Sequence, residues 1–151
     1  MANSNYLEID SNEIKHLFKG DLILIVTATD LETMATHAKI KPLHGYDKII
    51  KVFEGDLTYY FGIMGNYRIS HVQCSMGSIS RDSSIMTIRT ALEKLKSNIV
   101  IMIGIAFGVN EKKQHIGDVL IAESIIPYNS KRVGKKETIS RGIEAPSSKI
   151  L

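Results

Sequence analysis

Residues 22–28 read LILIVTA, an apolar run with no alternation, and directly behind it Thr29 and Glu32 stand at the T-x-x-E spacing of a helix capping box. A strand with two apolar faces belongs inside a sheet covered on both sides, and one that runs straight into a helix starts a parallel crossover. That pairing predicts an α/β domain. The helix is expected to run from Thr29 through Met34 to Ala38, with Lys41-Pro42 closing the segment.

The rest of the chain fits around this unit. Runs rich in β-formers at 49–54, 57–64 and 67–75 are separated by Glu54-Gly55-Asp56 and Gly65-Asn66, which are hairpin signals. A helix is predicted over 80–96, with Ile85, Ile88, Leu92 and Leu95 as its core stripe. Further apolar strands are predicted over 99–104 and 119–123. A short amphipathic helix is expected over 9–18, capped by Asp10 or Ser11, with Ile14, Leu17 and Phe18 on one side and Gly20 as its stop. This makes 1–20 an N-terminal helical extension and 21–151 the domain proper. The order predicts a three-layer αβα domain around a central mixed sheet. Ligands are expected at the carboxyl ends of its parallel strands, in the loops 27–32, 74–80 and 104–108.

Several function classes drop out on residue chemistry. The single cysteine, Cys74, forms no intramolecular disulfide, and the five histidines supply no i,i+4 pair for a metal, so neither metal nor cofactor is expected. The apolar run 99–109, bracketed by Asn98 and Asn110, falls short of the roughly 20 residues that span a bilayer and reads as a buried strand and turn. The first ten residues lack the basic and apolar segments of a signal peptide, and the expectation is a cytoplasmic protein without membrane contact. The net charge of +3 is local: residues 129–151 carry +4 and the remainder −1. Only Tyr128 lies near that basic segment, so it reads as a solvated loop rather than a nucleic-acid surface.

The three loops leave choices open. The turn at Thr27-Ala28-Thr29-Asp30 has no glycine, which a dinucleotide-binding turn needs. Gly104 and Gly108 form a G-x-x-x-G that serves equally as a tight turn or a ligand loop. Cys74 ends a strand with no nearby base and reads as a small buried hydrophobe. Glu32 is either the glutamate of a capping box or a carboxylate held at a cleft to polarise water.

VTATDLETMA after LILI, HVQCSMGS leading into a helix, IVIMIGIAFGV and then IGDVLIAES resemble, in this order, the nucleoside phosphorylase superfamily. This superfamily holds purine nucleoside phosphorylases, uridine phosphorylases and methylthioadenosine/S-adenosylhomocysteine nucleosidases. The resemblance spans about residues 22–133, with IGIAFGV followed by IGDV its most specific pair. It implies a nucleoside phosphorylase-like domain and cleavage of the N-glycosidic bond of a purine nucleoside.

By the same resemblance, Glu32 falls where the nucleosidase form positions attacking water, with Ala28 beside it on the substrate side. Cys74 and Gly77 match the serine and second glycine of an S-G-x-G turn near the ribose or phosphate pocket, with Ser75 in place of the first glycine. Ile105, Ala106 and Phe107 match the loop that lines the base pocket, and Phe107 stands where many relatives carry glycine. The phosphorylase loop G-D-P-x-R has no match at 27–32, so the implied nucleophile is water, with phosphate as a ligand in the phosphorolytic alternative. The other alternative is a nucleoside-binding module without turnover, for which Ser75 and Phe107 are the departures that speak. The family also implies a homo-oligomer. Its later V-x-M-E segment and aspartate have no counterpart in 129–151, so the expectation is a domain incomplete at its C-terminus and inactive alone.

Overall fold

The computed structural model describes residues 5–13, 15, 21–76, 83–108, 110, 112–125, 131–133, 138–140 and 145–147. It divides into two units, 1–105 and 106–151. The first holds strands β1 (Tyr6–Glu8), β2 (Ile23–Thr27), β3 (Ile49–Glu54), β4 (Leu57–Met64), β5 (Tyr67–Gln73) and β6 (Ile99–Met102), with helices α1 (Asp30–His37) and α2 (Ser84–Leu95). One sheet takes all six strands in the order β1-β3-β4-β5-β2-β6. Only β4 runs against the others, because the β3–β4 and β4–β5 pairs are antiparallel and the remaining pairs parallel.

The meander forms where predicted. Both hairpins have two-residue loops, and both loops begin on a glycine with positive φ (Gly55 at 62°, Gly65 at 61°), the backbone twist that matches the strands. Strand alternation then sorts the core. Leu24, Val26, Val52, Tyr59, Phe61 and Val72 pack with Ala91 and Leu95 of α2 on one face, while Ile25, Ile49, Ile69 and Tyr60 lie on the face that α1 covers. This is the three-layer αβα arrangement with a mixed sheet.

The structure departs from the sequence reading in four places. Tyr6–Glu8 is a strand, parallel to β3 with Tyr6 opposite Ile49; three residues are too few to show a period. Of the helix expected over 9–18, Ser11, Asn12 and Glu13 form a turn, while Ile14, Leu17, Phe18 and Gly20 lie outside the described residues. Of the core stripe expected in α2, Leu95 is buried and Ile88 and Leu92 pack against the core, whereas Ile85 is 60% exposed and Thr87 and Ala91 are buried beside them. Two positions before Thr87 is about 200° around the helix, so Ile85 faces away from the sheet.

The fourth departure concerns the later apolar runs. β6 pairs with β2 alone among the described residues and is an edge strand, leaving Met102 54% exposed instead of buried. Residues 119–123 form no strand, and Val119 and Ile121 are exposed. An apolar run reports what a segment is able to bury, and here no described strand of its unit pairs with it. Among its described residues the second unit holds two short antiparallel pairs, β7 (Ser124–Ile125) with β10 (Ala145–Pro146) and β8 (Lys131–Val133) with β9 (Thr138–Ser140). Among the described residues no helix is long and apolar enough to cross a membrane.

Candidate functional site

Because β5, β2 and β6 are parallel neighbours, their carboxyl ends and following loops stand side by side. Backbone bonds tie them together: Cys74 N donates to Thr27 O at 2.9 Å and Ile103 N to Val26 O at 2.9 Å. The turn after β2 is built by its cap. Thr29 is extended, and its Oγ accepts Glu32 N at 3.3 Å, while Glu32 Oε2 accepts Thr29 N at 3.0 Å.

Glu32 does more than cap. Its Oε2 also accepts Ala28 N at 3.0 Å, and its Oε1 accepts Ile105 N at 2.9 Å, from the loop after β6. Three backbone N–H groups therefore converge on one carboxylate. The Ile105 N–H above all, helped by those of Ala28 and Thr29 and opposed by partial burial, holds its carboxyl below the usual carboxylate range. The capping box is present, and the same carboxylate reaches beyond it to a second loop. A cavity of about 320 Å³ lies beside it, lined by Leu31, Glu32, Ala35, Met64, Ile103 and Ile105. Small-molecule pockets begin at about this size.

A second cavity, of about 330 Å³, is lined by Thr58, Tyr60, Gln73, Cys74, Ser75 and Thr87. The sequence-derived candidates thus divide: Glu32 and Ile105 line one cavity, Cys74 and Ser75 the other, and Ala28 binds Glu32 through its amide. Ala106 and Phe107 belong to the second unit, where Phe107 is exposed. Gly77 lies outside the described residues. Cys74 is buried, its Sγ donates to Thr27 O at 3.3 Å, and burial pushes the thiol up, away from a reactive thiolate.

Under this edge of the sheet runs a chain of polar side chains that the sequence reading missed. Tyr6 Oη lies 2.7 Å from His37 Nδ1, His37 Nε2 lies 2.9 Å from His71 Nδ1, and His71 Nε2 lies 2.9 Å from Thr27 Oγ1. Thr27 Oγ1 lies 2.7 Å from Thr33 Oγ1, Thr33 donates to Gln73 Oε1 at 2.9 Å, and Gln73 Nε2 donates to Asp30 Oδ1 at 2.8 Å. His71 is fully buried; burial, with His37 as a smaller cause, pulls it down to about 3, and burial lowers His37 as well. Both rings are neutral near pH 7. One signal was present in the sequence: Ile69, His71 and Gln73 share a strand face, and Thr33 and His37 are four apart on a helix. Among the described residues no group of three or more metal-ligating side chains comes together.

Comparison with known proteins bears on the same segments. The chain is 30% identical over 120 residues to a "Death domain-containing ATP nucleosidase" of Amphimedon queenslandica, an alignment covering 76% of this chain and 22% of that protein. The chain thus spans less than a quarter of that relative. No solved structure matches it. The phosphorylase superfamily profile matches residues 22–146, from the first residue before β2 to the end of β10, and so takes in both the Glu32 turn and the Gly104–Gly108 loop. On that match the chain belongs to the phosphorylase superfamily.

Proposed function

We propose that this chain binds a purine nucleoside, or the nucleoside part of a nucleotide, at the carboxyl ends of β5, β2 and β6, and acts in hydrolytic cleavage of its N-glycosidic bond. The single observation carrying this is the Glu32 carboxylate, ionised and held by amides from two adjacent strand-end loops. Cleavage of such a bond passes through an oxocarbenium-like transition state, which gains from a fixed negative charge nearby. Three of the roughly four lone-pair directions of a carboxylate are occupied here, leaving one to accept a water O–H and aim its oxygen at the sugar carbon. A carboxylate with a lowered pKa is a poor proton acceptor, so Glu32 orients water rather than deprotonating it. The name of the nucleosidase relative supports both the bond and the purine. The site works in the cytoplasm, without metal or cofactor, within a homo-oligomer.

The test is chromatographic detection of free base from adenosine, methylthioadenosine, S-adenosylhomocysteine, ATP, inosine and uridine, with and without phosphate, run in parallel on this chain, expected to be inactive alone, and on its full reading frame. Phosphate-independent release of adenine, lost in Glu32→Ala, supports the reading. Release that requires phosphate moves it to phosphorolysis. Binding without release leaves a nucleoside-binding module, the reading that Ser75 and Phe107, as departures from the family pattern, favour.

A further inference from the structure

The polar chain from Tyr6 to Asp30 has only one consistent proton arrangement downstream of His71. A carboxylate offers only lone pairs, so the NH₂ of Gln73 must face Asp30 and its Oε1 must face Thr33. Thr33 therefore spends its one hydroxyl proton on Gln73 and accepts from Thr27, and Thr27, its proton spent in turn, accepts from His71 Nε2–H. With a neutral ring, His71 Nδ1 accepts from His37 Nε2–H, and His37 Nδ1 accepts from the Tyr6 hydroxyl. Every donor points the same way, from β1 toward the strand ends.

That sense has a consequence at the cavity beside Cys74 and Ser75, which Gln73 lines. One Nε2–H is committed to Asp30, and among the described residues the other has no acceptor. We infer that Gln73 contacts the bound nucleoside as a hydrogen-bond donor of fixed orientation, and that His71 is the positioning residue that sets this orientation through Thr27 and Thr33. The inference rests on the nucleoside reading above and adds its chemistry: the ligand atom at this point is an acceptor oxygen or ring nitrogen. An unlocked glutamine presents either end of its amide and discriminates poorly. Here reversal sets two acceptors, Gln73 Oε1 and Asp30 Oδ1, face to face.

Two measurements on the full chain decide it. Long-range ¹H–¹⁵N spectra of histidine-labelled protein at pH 7 should show both His37 and His71 as neutral Nε2–H tautomers; an Nδ1–H tautomer at His71 overturns the inference. Calorimetric titration with adenosine as the probe should show affinity falling about tenfold in Gln73→Leu, the loss of one directed hydrogen bond. His71→Gln, which keeps an amide N–H toward Thr27, should bind within about threefold of the unsubstituted chain, whereas His71→Leu should lose as much as Gln73→Leu. If His71→Leu does not fold, Gln73→Leu still decides. Unchanged affinity in Gln73→Leu overturns this inference alone, and no adenosine binding by the unsubstituted chain overturns the nucleoside reading along with it.

Discussion

Both faces of the six-stranded sheet hold side chains without exposure, but at the centre of each the chemistry differs. Toward α2, the row Val52, Tyr59, Val72 and Val26 is without exposure and packs on Ala91 and Leu95. Toward α1, Thr27 and His71 are also without exposure, yet they carry a hydrogen-bonded chain that ends on an exposed carboxylate. Hydrocarbon packing is non-directional: it fixes how close layers lie and leaves proton positions free. A buried polar chain contributes only if each member is satisfied, and satisfaction dictates which atom donates. The α2 face therefore holds the domain together, and the α1 face carries orientation to the strand ends.

This contrast is open to attack from both sides. On the apolar face, Phe61→Ala should cost about 3–5 kcal/mol by chemical denaturation, through lost transfer and a residual cavity. It should leave the pH dependence of stability unchanged.

The polar face should behave in the reverse manner, and the sign follows from the lowered values of His37 and His71. Below the ordinary histidine value of 6.5 the unfolded chain takes up protons that the folded chain refuses, so stability falls as pH drops, for His71 down to about pH 3. For His71 the slope approaches about 1.4 kcal/mol per pH unit, and His37 adds to it in the same direction. Glu32 works lower: its stabilising contribution is complete above 4.5 and is lost as pH falls through its lowered folded value. The window from 6.5 to 4.5 thus belongs to the histidines, and denaturation midpoints of His71→Gln across it should show a shallower slope. An unchanged slope would place His71 in contact with water.

Smaller effects probe the strand ends. Glu32→Gln sets an amide NH₂ against backbone N–H groups and should cost about 1–3 kcal/mol. Hydrogen exchange should locate that loss at Ile105 as well as at Ala28 and Thr29, since a purely local cap would leave Ile105 protected. Thr29→Ala removes the other half of the capping box and should cost about 1 kcal/mol in thermal unfolding. Arg89→Ala, on the outer side of α2, breaks only the exposed Arg89–Glu93 pair and should change stability by less than about 0.5 kcal/mol.

What could be read from residue order alone was whatever depends on neighbours along the chain. The apolar run at 22–28, the T-x-x-E cap and the two glycine hairpins are local signals, and β2, α1 and the β3–β4–β5 meander form where those signals stand. Glu32 was legible as a capping residue for the same reason. Its bond to Ile105, 73 positions later, was not, because nothing in either segment announces the other. Ile85 and β6 show the limit of composition: apolarity states a preference for burial, while the choice of covering face is made by the whole sheet. Cys74 was read as a buried hydrophobe from its strand-end position, and its Sγ does turn inward to Thr27 O. The histidines mark the boundary most clearly. His37 and His71 lie 34 residues apart, on a helix and a strand with no shared motif, and meet only because β5 pairs beside β2 under α1. Sequence determined the elements and their faces, since propensity, period and capping act within a few residues. Tertiary structure alone decided which side chains hydrogen-bond to one another, since a hydrogen bond requires atoms within about 3 Å and only the assembled sheet supplies that distance.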